Sequence, residues 1–360
     1  PGASDSSFVI ELLLALQPLG VDVAFDVLEP AAAASASASS GAPSESSLED
    51  RAVVTVIAPN IVPAAFLADV TDVLSEHSAN IQSINRITER GDSYAGFEFI
   101  VGLAAPAHTG DADDASARTD PNDALEAIRS DLLKLEKLGD VSVQRYNVLL
   151  RSKRLVVFDL SWTLIHGDAI ALLLQAAGRT AEAAESEPRT AAQRALGLKD
   201  ADANETLKTA LEQLEYTDGA VKLCRVLKRL GFRLAVISSG AKPLADAAKS
   251  TLGLDYAYGN ELEVENGKFT GRLRQPEIGA ERKAELVQML AMQEGIGPEQ
   301  VVAIGDGPVS AQMLSEAGLS IAFDQPQASN EAVGGRIAGK SLETVLHLLG
   351  VSGADVSAIS

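Results

Sequence analysis

Residues 155–159 read LVVFD, a run of apolar, β-favouring residues that ends on a carboxylate, and Thr163 follows four positions later. From this point strands and helices alternate. Strands are expected at 155–159, 233–238, 255–259, 301–305 and 319–323, and helices at about 219–231, 241–252, 281–294, 309–317 and 341–349. Alternation of this kind predicts an α/β fold, a doubly wound parallel sheet with its site at the carboxyl ends of the strands. Residues 166–217 interrupt it with a mostly helical, Ala-rich insert.

Upstream of residue 151 the pattern is different. Residues 8–19 have helical character and 21–28 alternate like a strand. Residues 31–50, AAAASASASSGAPSESSLED, carry too little apolar bulk to fold and read as a flexible linker. Ordered character resumes with a strand at 53–58, a helix at 63–76, and strands at 79–89 and 93–104 joined across Gly91-Asp92. An acidic insert at 105–121 precedes a helix at about 122–137 and a strand at 140–149. The order βαββαβ is the split motif of ferredoxin-like folds.

Composition narrows the function classes. Thirty basic residues stand against fifty acidic ones, a net charge of −20. Such a surface repels phosphate backbones and anionic lipid, so neither nucleic acid nor membrane is an expected partner. No apolar stretch approaches the roughly 18–20 residues that span a bilayer, and FVIELLLALQPLG is broken by Glu11 and Pro18. Cys224 is the only cysteine, which excludes an intrachain disulfide and a cysteine-based zinc cluster. Its helical context, VKLCRVLKRL, predicts a buried structural thiol. His77, His108, His166 and His347 show no metal-ligand spacing. A chain that begins at Pro1 is expected to be a fragment, and a cytoplasmic location is expected.

Four chemically capable residues fall at strand or helix ends, in order: Asp159, Ser238 in VISSGA, Lys283 in ERKAEL and Asp306 in VVAIGDG. Each alone reads as a turn or a helix cap. Together, on a chain that alternates correctly, they resemble the haloacid dehalogenase superfamily, whose opening motif is D-x-D-x-T. RLVVFDLSWTLI, RLGFRLAVISSG, GNELEVENGKFTGRL and VVAIGDGPVSAQMLSEAGLSIAFDQP further resemble the phosphoserine phosphatase family. The βαββαβ unit resembles an ACT domain, a small-molecule sensor, with Ala58 where such domains often carry Gly. The domain plan is then a partial ACT-like unit at 1–30, a linker at 31–50, an ACT-like domain at 51–150, and a haloacid-dehalogenase-like domain at 151–350 with its cap at about 166–217.

The resemblance implies hydrolysis of phosphoserine to serine and phosphate through an aspartyl-phosphate. Asp159 would be the nucleophile, while Ser238 and Lys283 would hold the phosphoryl oxygens. Mg²⁺ would be gripped by Asp159, Asp306 and the backbone carbonyl of Ser161. Asp168, Ser239 and Gly240 complete the substrate-binding set, with Asp168 meeting the substrate ammonium. Arg189 and Arg194 are candidate cap contacts, although arginine in an Ala-rich helix commonly marks a solvated face.

Several positions depart from the family pattern. Ser161 replaces the acid/base Asp, and a serine hydroxyl cannot protonate a seryl alkoxide. Val309 and Ser310 replace an amide and a carboxylate in G-D-G-x-N-D, and the lost carboxylate weakens support for Mg²⁺. Trp162 brings an indole into a loop of small residues. Ser239-Gly240-Ala241 stands for Gly-Gly-Phe, and the cap lacks its Phe. Impaired hydrolysis follows. The alternative is a non-catalytic regulatory or serine-sensing paralogue, a pseudoenzyme binding serine or phosphate. The small sheet, covered by helices on one face, predicts a homodimer or a heterodimer with an active paralogue.

Overall fold

In the computed structural model, which describes residues 25–26, 51–88, 94–103, 121–135, 139–146, 152–179, 190–306, 310–323, 333–339 and 341–359, strands form on the apolar runs. The chain divides into two compact units. One is Pro1–Leu150 with His347–Ala354, and the other is Arg151–Leu346 with Asp355–Ser360. The expected helix at 8–19 and the linker at 31–50 lie outside the described residues.

The first unit contains β1 (Phe25–Asp26), β2 (Arg51–Pro59), α1 (Ala64–Glu76), β3 (Asn80–Arg86), β4 (Tyr94–Gly102), α2 (Pro121–Leu132) and β5 (Asp140–Arg145). All its strand pairs are antiparallel, in the order β1-β3-β4-β2-β5. From Arg51 onward the elements run βαββαβ, and the two strands flanking β2 are β4 and β5. Period-two alternation sends Ala52, Val54, Val56 and Ala58 of β2 into a core with Phe66, Val70 and Leu74 of α1 and Ile128 and Leu132 of α2. The intervening Val53, Thr55 and Ile57 are buried as well. Both faces of β2 are therefore removed from solvent. Helix α2 stops at Leu132 and passes into a 3₁₀ turn at Leu133–Leu135, short of the expected residue 137.

The second unit begins with β6 (Leu155–Asp159), followed by α3 (Ala169–Ala176), α4 (Ala191–Ala195) and α5 (Ala203–Glu212) in the insert. It continues with α6 (Ala220–Arg229), β7 (Arg233–Ala241), α7 (Lys242–Leu252), β8 (Tyr256–Asn260), β9 (Leu262–Glu265) and β10 (Lys268–Leu273). Next come α8 (Ala280–Glu294), β11 (Val301–Gly305), α9 (Ala311–Ser315), β12 (Leu319–Phe323) and β13 (Gly335–Ile337), and the chain goes on to helices α10 (Thr344–Leu348) and α11 (Gly353–Ile359). The main sheet is entirely parallel, in the order β13-β12-β11-β6-β7-β8. Chain order reverses between β6 and β11, which is where open α/β sheets leave a crevice for ligands. Residues 155–158 are fully buried, as a strand with neighbours on both sides and layers on both faces must be.

The β9–β10 hairpin, strand β13 and the helix Gly353–Ile359 were absent from the sequence-based expectation. The β9–β10 hairpin turns at Asn266-Gly267, both with positive φ (53° and 79°), the geometry of a type I′ turn. Strand β13 is short and lies beside β12. Among the described residues, no helix is long and apolar enough to cross a membrane.

Cys224 sits on the buried face of α6 with Leu223 and Leu227, and burial pushes its thiol up to about 12. A thiol that stays protonated and enclosed is unreactive. A disulfide-exchange reagent at mildly alkaline pH should leave native protein unlabelled and label it fully after denaturation. Rapid labelling of the native chain would contradict this packing.

Candidate active site

Strand register assembles the site. Asp159 pairs with Ile237 of β7, and Phe158 pairs with Ile304 of β11. Ser238 therefore stands one residue beyond Asp159 on one side. Gly305 lies level with Asp159 on the other side, and Asp306 lies just beyond it. Three polar groups thus converge at the switch point because three apolar strands end together.

Asp159 is 3 % exposed and heavily hydrogen-bonded. Its Oδ1 accepts from the Leu160 N–H at 2.7 Å. Its Oδ2 accepts from the Lys283 ammonium at 2.6 Å and also from the Ser310 hydroxyl. Lys283 lies in the first turns of α8 and is itself 1 % exposed. Gly305 permits the Ser310 contact, because a Cβ at 305 would come within 2.6 Å of Ser310 Cβ. Burial pushes the Asp306 carboxyl up to about 7, with the charge of Asp159 adding to the effect and Lys283 opposing it.

The Ser161 Oγ accepts from the Ala169 N–H at 3.1 Å. Asp168 caps α3, its Oδ1 accepting from the Ile170 and Ala171 N–H groups at 2.8 Å each. The same oxygen is 2.7 Å from the Arg194 guanidinium. Arg194 is thus half-buried and paired rather than part of a solvated face, while Arg189 lies outside the described residues. Ser238 Oγ accepts from the Gly240 N–H at 2.9 Å and so keeps its own proton to donate. The hydroxyl oxygens of Thr163 and Ser239 are buried without a hydrogen-bond partner, a costly state. Trp162 adopts φ +56°, unusual for a bulky residue, and is 57 % exposed.

Asn260 was not singled out from the sequence. Its side chain donates to the Ser239 carbonyl at 2.8 Å and accepts from the Ile278 N–H at 2.7 Å. It ties the end of β7 to the segment that leads into α8. Nothing local signals this, since its partners are 21 and 18 residues away. In sequence Ser310 stands out only for the carboxylate it lacks, because its bond to Asp159 spans 151 residues.

A divalent cation would draw on Asp159, Asp306 and the Ser161 carbonyl. These oxygen donors suit a hard cation, since Mg²⁺ is commonly held by one or two carboxylates plus substrate phosphate. The raised Asp306 carboxyl beside the Asp159 charge marks a place where added positive charge is favourable. Among the described residues, no cluster of three or more His, Cys, Asp or Glu residues completes a cage. A cavity of about 320 Å³ elsewhere in this unit is lined by Leu207, Pro243 and Phe269, among others. Its charges pair with one another, Lys242 with Asp246 and Arg274 with Glu261, and none belongs to the Asp159 cluster.

This sheet and its strand-end carboxylates define a haloacid dehalogenase-like hydrolase, and the model of that family matches residues 156–315. The chain is 37 % identical over 238 residues to a phosphoserine phosphatase of Archaeoglobus fulgidus, covering 63 % of this chain and 69 % of the relative. A phosphoserine phosphatase of Mycobacterium tuberculosis is 36 % identical over 232 residues, 62 % of this chain and 57 % of its own length. A solved substrate-bound phosphoserine phosphatase superposes with TM-score 0.50 at 31 % identity, covering 54 % of this chain and 98 % of that one. The chain belongs to the phosphoserine phosphatase family of haloacid dehalogenase-like hydrolases. It spans little more than half the length of the mycobacterial relative.

Two stability measurements test this geometry. Lys283→Met strands a buried carboxylate and should cost roughly 3–5 kcal/mol in urea unfolding, with Asp159→Asn in the same background recovering part of the loss. Equal losses in the single and double variants would deny the pairing. Asp306 in the folded chain keeps its proton up to about 7 rather than its ordinary 3.8, so stability falls as pH rises through that window. In chelator-treated protein Asp306→Asn should therefore gain a few kcal/mol at neutral pH, and the gain should vanish near the lower value. An unchanged pH slope would contradict it.

Proposed function

We propose that this chain is a phosphomonoesterase of the phosphoserine type whose nucleophile and oxyanion cradle persist while its turnover is impaired. The observation that carries this reading is Asp159 at the switch point, buried and paired with Lys283. An Asp159 oxygen forms a bond to phosphorus as the ester P–O bond breaks, and the electron pair leaves on the seryl oxygen. Lys283, the Ser238 hydroxyl and the unpaired hydroxyls of Thr163 and Ser239 supply donors to the phosphoryl oxygens. Asp168 and Arg194, already paired with each other, suit the ammonium and carboxylate of phosphoserine. Mg²⁺ held by Asp159, Asp306 and the Ser161 carbonyl would neutralise phosphoryl charge, with a hold weakened by serine at 310.

The seryl oxygen needs a proton, and here the chain is deficient. Ser161 has no titration near neutrality, and its oxygen already accepts from the Ala169 N–H. A positioned acid is worth roughly 10²–10⁴-fold. The βαββαβ unit is read as an ACT-like sensor domain, and a homodimer, or a heterodimer with an active paralogue, as the working assembly in the cytoplasm. The second reading is a non-catalytic regulatory paralogue that binds serine or phosphate. It is favoured by the two donors that already occupy Asp159 Oδ2.

Phosphate release distinguishes these readings. Phosphoserine turnover should rise roughly a hundredfold or more in a Ser161→Asp/Ser310→Asp variant. In the step that releases the leaving group, the unaltered chain should strongly prefer an aryl phosphate, whose leaving group departs without a proton. Equal single-turnover rates of alcohol release from the seryl and aryl esters would refute the missing-acid account. No turnover of either ester, with or without the revertant, would leave the regulatory reading.

A further inference from the structure

The contacts of Asp159 lead to a count that the family pattern does not contain. An ionised carboxylate offers about four acceptor positions, two on each oxygen. Three are filled: the Leu160 N–H on Oδ1, and the Lys283 ammonium and Ser310 hydroxyl on Oδ2. One position remains, but a nucleophile that also ligates a cation needs two, one for phosphorus and one for the ion. One of the three donors must yield. The Leu160 N–H is a backbone group next to the carboxylate it serves. Lys283 is 1 % exposed, and an ammonium stripped of its partner there would cost several kcal/mol. Ser310 is the only neutral, rotatable donor of the three, yet its side chain is enclosed and packed over Gly305.

We propose that the Ser310 hydroxyl occupies the acceptor position on Asp159 that a divalent cation requires, making Ser310 an internal competitor for the cation. This rests on reading Asp159 as the nucleophile and a cation ligand. It goes further than the loss of a carboxylate at this position, because the serine acts by what it donates. The two ideas separate in a variant that has neither group. If only the missing carboxylate matters, Ser310→Ala leaves cation affinity unchanged. If the hydroxyl competes, Ser310→Ala raises it.

The test is Mn²⁺ binding to the full chain without substrate, followed by calorimetry and by the fluorescence of Trp162, the only tryptophan and three residues from Asp159. Ser310→Ala should bind Mn²⁺ about tenfold more tightly than the unaltered chain, the scale on which groups around a metal ligand act. Ser310→Cys keeps a side chain in place but donates weakly, so it should shift in the same direction even if alanine impairs folding. Asp159→Asn should abolish the gain. Unchanged or weaker Mn²⁺ binding in the alanine and cysteine variants would overturn the proposal. Tighter binding in a chain inactive on aryl phosphate would sustain it while rejecting the hydrolase reading.

Discussion

The second unit is organised around the buried pair of Asp159 and Lys283. A carboxylate and an ammonium removed from water are tolerable only because they meet at 2.6 Å and share further hydrogen bonds. The register of β6 between β7 and β11 and the start of α8 bring the two charges together. Asn260 supports this arrangement, since its three hydrogen bonds hold the end of β7 against the approach to α8. Loosening any of these elements would leave one of the two charges buried and unpaired.

The departures from the family pattern act on this frame in distinct ways. The Ser161 hydroxyl accepts from the Ala169 N–H at the start of α3, and under the proposed function it leaves the seryl oxygen without a proton source. Ser310 donates to Asp159, and on the inference drawn from that bond it changes the demand on the carboxylate instead of merely shortening a side chain. Asp168 retains a carboxylate but spends one oxygen on helix capping and on Arg194. The hydroxyls of Thr163 and Ser239 remain buried and unpaired, and under the proposed function they donate to the phosphoryl oxygens.

Much of this architecture is legible in the sequence because apolar runs dictate it. The strands at 155–159, 301–305 and 319–323 occupy the expected residues, and Asp306 follows β11 as read. What escaped was either local chemistry passed over or contact at long range. Asn266-Gly267 between alternating residues is a hairpin signal, and β9–β10 should have been inferred from it. Strand β13, Gly-Arg-Ile, has too few apolar residues to announce itself. The bonds from Ser310 to Asp159 and from Asn260 to Ser239 have no sequence signature, because their geometry exists only after the sheet has formed. Arg194 misleads for the same reason: its Ala-rich helix suggests solvent until Asp168 is placed beside it.

The central claim is that Asp159 can still take a phosphoryl group while the later proton transfers are lost. Acid quenching of the chain mixed with an aryl phosphate, followed by peptide mass analysis, examines this directly. The account predicts a phosphoryl adduct on the peptide containing Asp159, accumulating because Ser161 cannot activate water, and absent in Asp159→Asn. An adduct at another residue, or steady phosphate release from Asp159→Asn, would contradict it.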